Sequence, residues 1–263
     1  MKNLFVARPD ALAILKHTRK RATLDIKPEH TIEIYRQTDE AVYAGMGSAD
    51  RIFHWSLVVA VIGAVASSKA DVMWLHERFG LSVMGLVAFR LIWGFVGGYY
   101  ARFRQFITAP KTALAGILNL LKAEKGMPLG HSAAAGYAVI GLLGVLGYLA
   151  LTGSISNDDV LFDGPLAHLM PSYSNLASDL HDIGEPLLFV MIALHIGAIL
   201  LYKFVKKRNL TRAMLDGRVA ESDQPAAAQD GGISAIHTTC GLLLLAACVL
   251  AANALSLLRP AFY

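Results

Sequence analysis

The amino-acid sequence predicts an all-α protein that crosses a membrane five times, and three observations predict it. Of its 263 residues, 55% are hydrophobic and 17% charged, with a positive mean hydropathy that is unusual for a water-soluble domain of this length. Five apolar stretches, near 52–68, 72–98, 131–152, 179–203 and 233–257, approach the roughly 20 residues that cross a hydrocarbon core about 30 Å thick. Lysine and arginine are segregated between them. Nine fall in residues 1–51, five in 99–129 and six in 203–232, while the segments joining spans one to two and three to four hold Lys69 alone.

By the positive-inside rule this bias puts the N-terminus and both basic loops in the cytoplasm and, after five crossings, the C-terminus outside. The loop from Thr152 to Ser178 agrees, with Asp158, Asp159 and Asp163 and no basic residue. The expected location is a bacterial inner (cytoplasmic) membrane. No apolar run precedes the first span, so a cleavable signal peptide is not expected.

Residues 1–50 read as a polar, basic cytoplasmic extension with a weakly amphipathic start, "ALAILKHTRKR". It serves either as a solvated tail with short surface helices or as a docking segment. Span one is short unless its helix continues back through Arg51. Between spans two and three, "TAPKTALAGILNLLKAEKG" has Pro110 near a helix start and Leu114, Ile117, Leu118 and Leu121 between flanking lysines, which suits a helix lying in the interface. Residues 216–232 form a flexible link to the last span. Cys240 and Cys248 stand eight residues apart in span five, about 12 Å along a helix, too far to bridge. No CxxCH, no zinc-type cysteine pair and no phosphate-binding glycine loop occurs. No nucleic-acid partner is expected.

Among nine histidines, four can be put in register. His54 lies near the cytoplasmic start of span one and His76 near the outer start of span two. Span four carries His181 toward its outer end and His195 fourteen residues deeper, a rise of about 21 Å and almost four turns, so both imidazoles leave one helix face in opposite leaflets. Depth then pairs His76 with His181 and His54 with His195. Two bis-histidine sites stacked across a membrane suit two non-covalent b-type haems, each iron taking one nitrogen from each of two facing helices. A lone intramembrane histidine is as often a hydrogen-bonding group; four matched in depth, two of them on one helix, are hard to explain that way. Mononuclear metal sites would have two protein ligands each and no carboxylate pair nearby.

Other residues carry weaker signals. Gly63, Gly80, Gly85, Gly136 and Gly144 fit either a flat macrocycle against the backbone or ordinary close helix packing. Arg51 and Arg90, on the cytoplasmic side, and Arg78, outside, could pair with haem propionates, although Arg51 also suits interfacial anchoring. Glu185, four residues after His181, could hydrogen-bond a ligand, a propionate or a quinol, or do nothing chemical. Pro186 is expected to kink span four or open its first turns. His131 offers a propionate or quinone contact or a simple interfacial group. His168 and His237 read as structural or surface residues, and His17 and His30 carry no signal.

With "RIFHWS" at 51–56, "LHERFG" at 75–80, "FRLIWGFVG" at 89–97, "ARFRQF" at 101–106, "GHSAAAG" at 130–136, "LTG" at 151–153, "LHDIGEPLLFVMIALHIGA" at 180–198 and "AMLDGR" at 213–218, the chain resembles the bacterial di-haem cytochromes b. That family includes cytochrome b561 and the cytochrome b subunits of nickel–iron hydrogenase and formate dehydrogenase. The resemblance covers about residues 50–218. It implies an integral membrane four-helix bundle binding two haems b, with His54, His76, His181 and His195 as axial ligands, and exchange of electrons with the membrane quinone pool and a partner redox protein. Where hydrogenase-type relatives usually have Asn-Pro after the Gly-His of span three, Ser132 and Ala133 follow His131. The fifth span and the extension fall outside the four-helix pattern and suit assembly with other membrane subunits.

The expected organisation is therefore an extension (1–50), a di-haem cytochrome b domain (51–218), and a linker with a fifth span (219–263). The expected function is electron transfer between quinone and a redox protein such as a c-type cytochrome or a membrane-anchored dehydrogenase. Quinone or quinol oxidoreductase chemistry would be confined to a site near one haem edge, on the cytoplasmic side by His195, His131 and Arg51. A structural or accessory subunit of a larger respiratory or photosynthetic complex is the alternative. A transporter with histidine proton relays is less well supported, because no broken-helix repeat appears.

Overall fold

The computed structural model describes residues 42–44, 47–98, 101–105, 111, 133–157, 162–205, 210–216, 218–220 and 235–260. The N-terminal extension up to 41, the interfacial segment at 112–126, His131 and the linker at 221–232 lie outside the described residues. Five helices are long and apolar enough to cross a membrane, and the chain is an all-helical, multi-span membrane protein. They are α1 (Ser48–Lys69), α2 (Met73–Val96), α3 (Ala133–Ile155), α4 (Ser174–Phe204) and α6 (Ala235–Ala254); α5 (Leu210–Asp216) is a short helix after α4. A small antiparallel pairing joins β1 (Val42–Ala44) to β2 (Arg218–Ala220).

The first helix begins at Ser48, so it continues back through Arg51. We call the end of the bundle where α1 begins the near end and the other the far end. At the far end α1 turns into α2 within three residues. The amides of Ala70, Asp71 and Val72 return to the carbonyls of Ala66, Ser68 and Ser67 at 2.9–3.1 Å. Asp71 takes the left-handed conformation, φ 56°, that a short polar side chain tolerates better than most.

The second helix is the centre of the bundle. It packs against α1, α3 and α6, and its inward side carries Leu86, Phe89 and Trp93, with Phe89 at 0% exposure. Two glycines set the approach of its neighbours. A Cβ on Gly63 of α1 would lie 2.5 Å from the Phe79 ring, and one on Gly85 of α2 would lie 2.6 Å from the Val249 Cα of α6. Both serve helix packing, one of the two uses open to them from the sequence. Large apolar side chains such as Trp74, Phe95, Leu194 and Leu257 point outward, as they should where the surroundings are lipid.

The fourth helix is built differently. Half of the apolar window of α2 is buried (50%) but only 6% of that of α4. The backbone of α4 makes its close contacts with spans almost wholly along α3, where Gly184 lies against Tyr148 and Leu149. Toward α1 and α2 it stands off, leaving space between helices. Pro186 lies inside α4, which runs unbroken through 31 residues. The expected opening of its first turns does not occur, because only one backbone donor is lost and the flanking turns hold.

A paired histidine site between the spans

The space beside α4 is where histidines meet. His76, in the first turn of α2, and His181, on α4, face each other with ring centroids 6.0 Å apart and planes at 87°. Each ring is oriented by a backbone carbonyl: His76 Nδ1 lies 2.8 Å from the Ala64 carbonyl of α1, and His181 Nδ1 lies 3.0 Å from the Leu149 carbonyl of α3. A carbonyl can only accept, so both Nδ1 atoms carry the proton and both Nε2 atoms keep a lone pair. The Thr152 hydroxyl stands 3.2 Å from the same His181 nitrogen. Gly153 fits under this ring, since a Cβ there would sit 2.8 Å from His181 Cε1.

Two cavities flank the pair. One, about 300 Å³, reaches from His76 and His181 toward Glu77, Ser154, Asn157 and Phe162. The other, about 210 Å³, runs toward α1 past Ala64, Val65 and Leu188. Gly80 lines both, and a Cβ added to it would meet nothing within 4 Å. The same is true of Gly144. Lys69 and Glu185 form an ion pair of 2.6 Å from α1 to α4 at the edge of the second cavity. Tyr148 Oη donates to the Leu180 carbonyl at 2.5 Å, pinning α4 to α3 one residue before His181. Tyr148→Phe is expected to lower stability by about 1 kcal/mol, measured by thermal unfolding in detergent.

At the near end, His54 lies within electrostatic reach of His195. The His54 ring meets Trp55 edge-on at 5.4 Å, and its Nδ1 is buried with no hydrogen-bond partner among the described residues. Such an atom normally has one. Trp55 Nε1 donates to the Met214 carbonyl at 3.1 Å and Arg51 Nη1 to that of Leu215 at 3.2 Å, so α5 folds back onto α1 beside His54. Arg90 is buried, donates to the Ala101 carbonyl at 2.9 Å, lies 4.9 Å over the Phe103 ring and interacts with Asp50. Arg78 donates to the Asn253 carbonyl (3.3 Å) and the Ser256 hydroxyl (2.9 Å).

The carbonyls of Ala64 and Leu149 are features that side-chain patterns do not disclose. Glu77 is another: it is buried and ion-paired at 2.7 Å to Arg259, 182 residues away. Among the described residues no three or more His, Cys, Asp or Glu side chains converge on a metal position. A family model described as prokaryotic cytochrome b561 matches residues 46–217. No individually curated protein matches the chain.

Proposed function

The chain belongs to the prokaryotic cytochrome b561 family, and on that premise we propose that it is a di-haem membrane electron carrier. One haem b is held between His76 and His181 and another between His54 and His195, and electrons pass between the quinone pool and a partner redox protein. The observation that carries this reading is the far-end pair. The His76 and His181 ring centroids stand 6.0 Å apart, a spacing at which the two imidazoles would hold one iron between them. Two protein ligands per site, too few for a bare ion, suit a metal whose other positions are filled by its own macrocycle. The cavities on either side of the pair, the bare Cα of Gly80 and the orphaned His54 Nδ1 fit the same group.

When bound, a haem supplies a one-electron ferric–ferrous couple. The residues of this chain do the rest. The Ala64 and Leu149 carbonyls fix the ring orientation and tautomer and make each Nε2 more basic. Leu81, Val83, Leu146 and Leu188 line the cavities and exclude water, which lowers the reorganisation that accompanies a change of charge. The fourteen-residue interval from His181 to His195 spaces the two sites by about 21 Å along α4. A quinone site by His195, His131 and Arg51, a c-type cytochrome or membrane-anchored dehydrogenase as partner, and a cytoplasmic N-terminus in a bacterial inner membrane complete the proposal.

Purified in mild detergent, the protein should show two b-type haems per chain in its pyridine spectrum, and a quinol should reduce them. A haem-free chain, or haems indifferent to quinol, would overturn the respective half of the reading.

A further inference from the structure

The fifth span lies beyond the matched family region, yet its end reaches the far-end site. Four polar contacts hold α6 and the residues just after it to α2: Asn253 Nδ2 to the Ser82 hydroxyl at 3.1 Å, Arg78 to Asn253 and to Ser256, and Arg259 to Glu77. Arg259 Nη2 stands 2.7 Å from Glu77 Oε2 and 2.6 Å from the Asp163 carbonyl. Glu77 belongs to the wall of one cavity, directly beside His76, and Asp163 to the loop that roofs it, where Phe162 and Pro165 face the cavity.

That loop is folded back on α3 and α4. Asn157 bridges to Asp163, the Gly164 and Leu166 amides return to Ser156 and Ser154 at 2.8 Å, and Ser178 of α4 holds both backbone groups of Asn157. None of these bonds fixes the roof to α2. Arg259 does so, through one guanidinium shared between the roof and the helix that carries His76.

We propose that Arg259 is a positioning residue for the far-end site: the fifth span uses it to clamp the cavity roof onto the His76 turn and to neutralise the Glu77 carboxylate beside the site. The electrostatic half rests on the haem reading above; the clamp does not. A guanidinium does not lose its proton in a protein, so it remains a fixed positive charge. Paired with Glu77 it leaves the site with no net charge from these two groups. Asp182, which lines both cavities, is then the acidic group facing the pair from α4, with Glu185 held by Lys69.

The test uses the full-length protein in detergent, with the far-end haem identified as the one that His181→Ala removes. Glu77→Gln leaves Arg259 uncompensated and should shift the far-end midpoint potential upward, since a positive neighbour disfavours the ferric state, with the near-end potential unchanged. Glu77→Gln combined with Arg259→Gln should return it to the wild-type value. Arg259→Gln alone should speed hydrogen–deuterium exchange at the Gly164 and Leu166 amides. An unmoved potential in Glu77→Gln with both haems kept, a double variant that stays shifted, or roof exchange unaffected by Arg259→Gln would overturn the proposal. Exchange is read on haem-free chain as well, so a variant that loses haem still decides the clamp. Absence of haem from the wild type would overturn the functional reading and leave the clamp to that measurement.

Discussion

Replacing His181 with alanine should leave one haem per chain instead of two, and replacing His76 should remove the same haem. The expectation follows from the two imidazoles with centroids 6.0 Å apart and from the fact that, among the described residues, no third His, Cys, Asp or Glu side chain converges with them on a metal position. On the proposed reading each haem has two protein ligands, so losing one removes half of its coordination by the protein. Combining His76→Ala with His181→Ala should therefore cost nothing further in haem content, whereas combining His181→Ala with His54→Ala should abolish both haems. Pyridine spectra of the singles and doubles, with a redox titration to identify the haem that survives, measure this directly. If His76→Ala and His54→Ala turned out to empty the same site, the pairing by depth would be wrong. The loss should also appear in stability, because a group that binds only the folded chain raises its melting temperature by mass action.

That His76 and His181 come to one depth was legible in the sequence because membrane depth is a one-dimensional coordinate. Apolar length gives the position of each span, and a residue's place along it gives depth, so His76 and His181 could be matched without knowing how the helices pack. Rotation about a helix axis is less legible, and the readings that depended on it divided. Arg78 stands two residues from His76, about 200° around the helix, and so it faces α6 rather than the cavity. Glu77, between them, is the buried charge that lines the cavity, and its partner Arg259 lies 182 residues away. No periodicity reports a contact of that range. The Ala64 and Leu149 carbonyls were invisible for another reason: every residue has one, and only the packing of α1 and α3 selects these two. Glycines were readable as sites of close approach but not by what approaches.

That last ambiguity yields the second large effect, because Gly80 and Gly85 lie on the same helix and should answer the same substitution in opposite ways. Five residues put them about 140° apart around α2. Gly80 opens onto both cavities with nothing within 4 Å of an added Cβ, whereas at Gly85 that atom would sit 2.6 Å from Val249 Cα and 2.7 Å from the Cys248 carbonyl. Gly80→Leu should therefore leave helix packing and thermal stability of the haem-free chain unchanged, since its side chain enters empty space. It should cost the far-end haem, because that space is the one a macrocycle needs. Gly85→Leu strikes backbone, which cannot rotate away, so α6 must move off α2. Overpacking of this kind costs about 1–3 kcal/mol or more, and here it also strains the bonds of Asn253, Arg78 and Arg259 to α2. The expected result is a lowered melting temperature and faster amide exchange in α6, with two haems retained by α1, α2 and α4, the three helices that carry the four histidines. A Gly80→Leu protein with both haems and unchanged potentials would mean that the cavity beside His76 and His181 holds something else. A Gly85→Leu protein that lost both haems would make the fifth span part of the haem-binding core rather than a brace upon it.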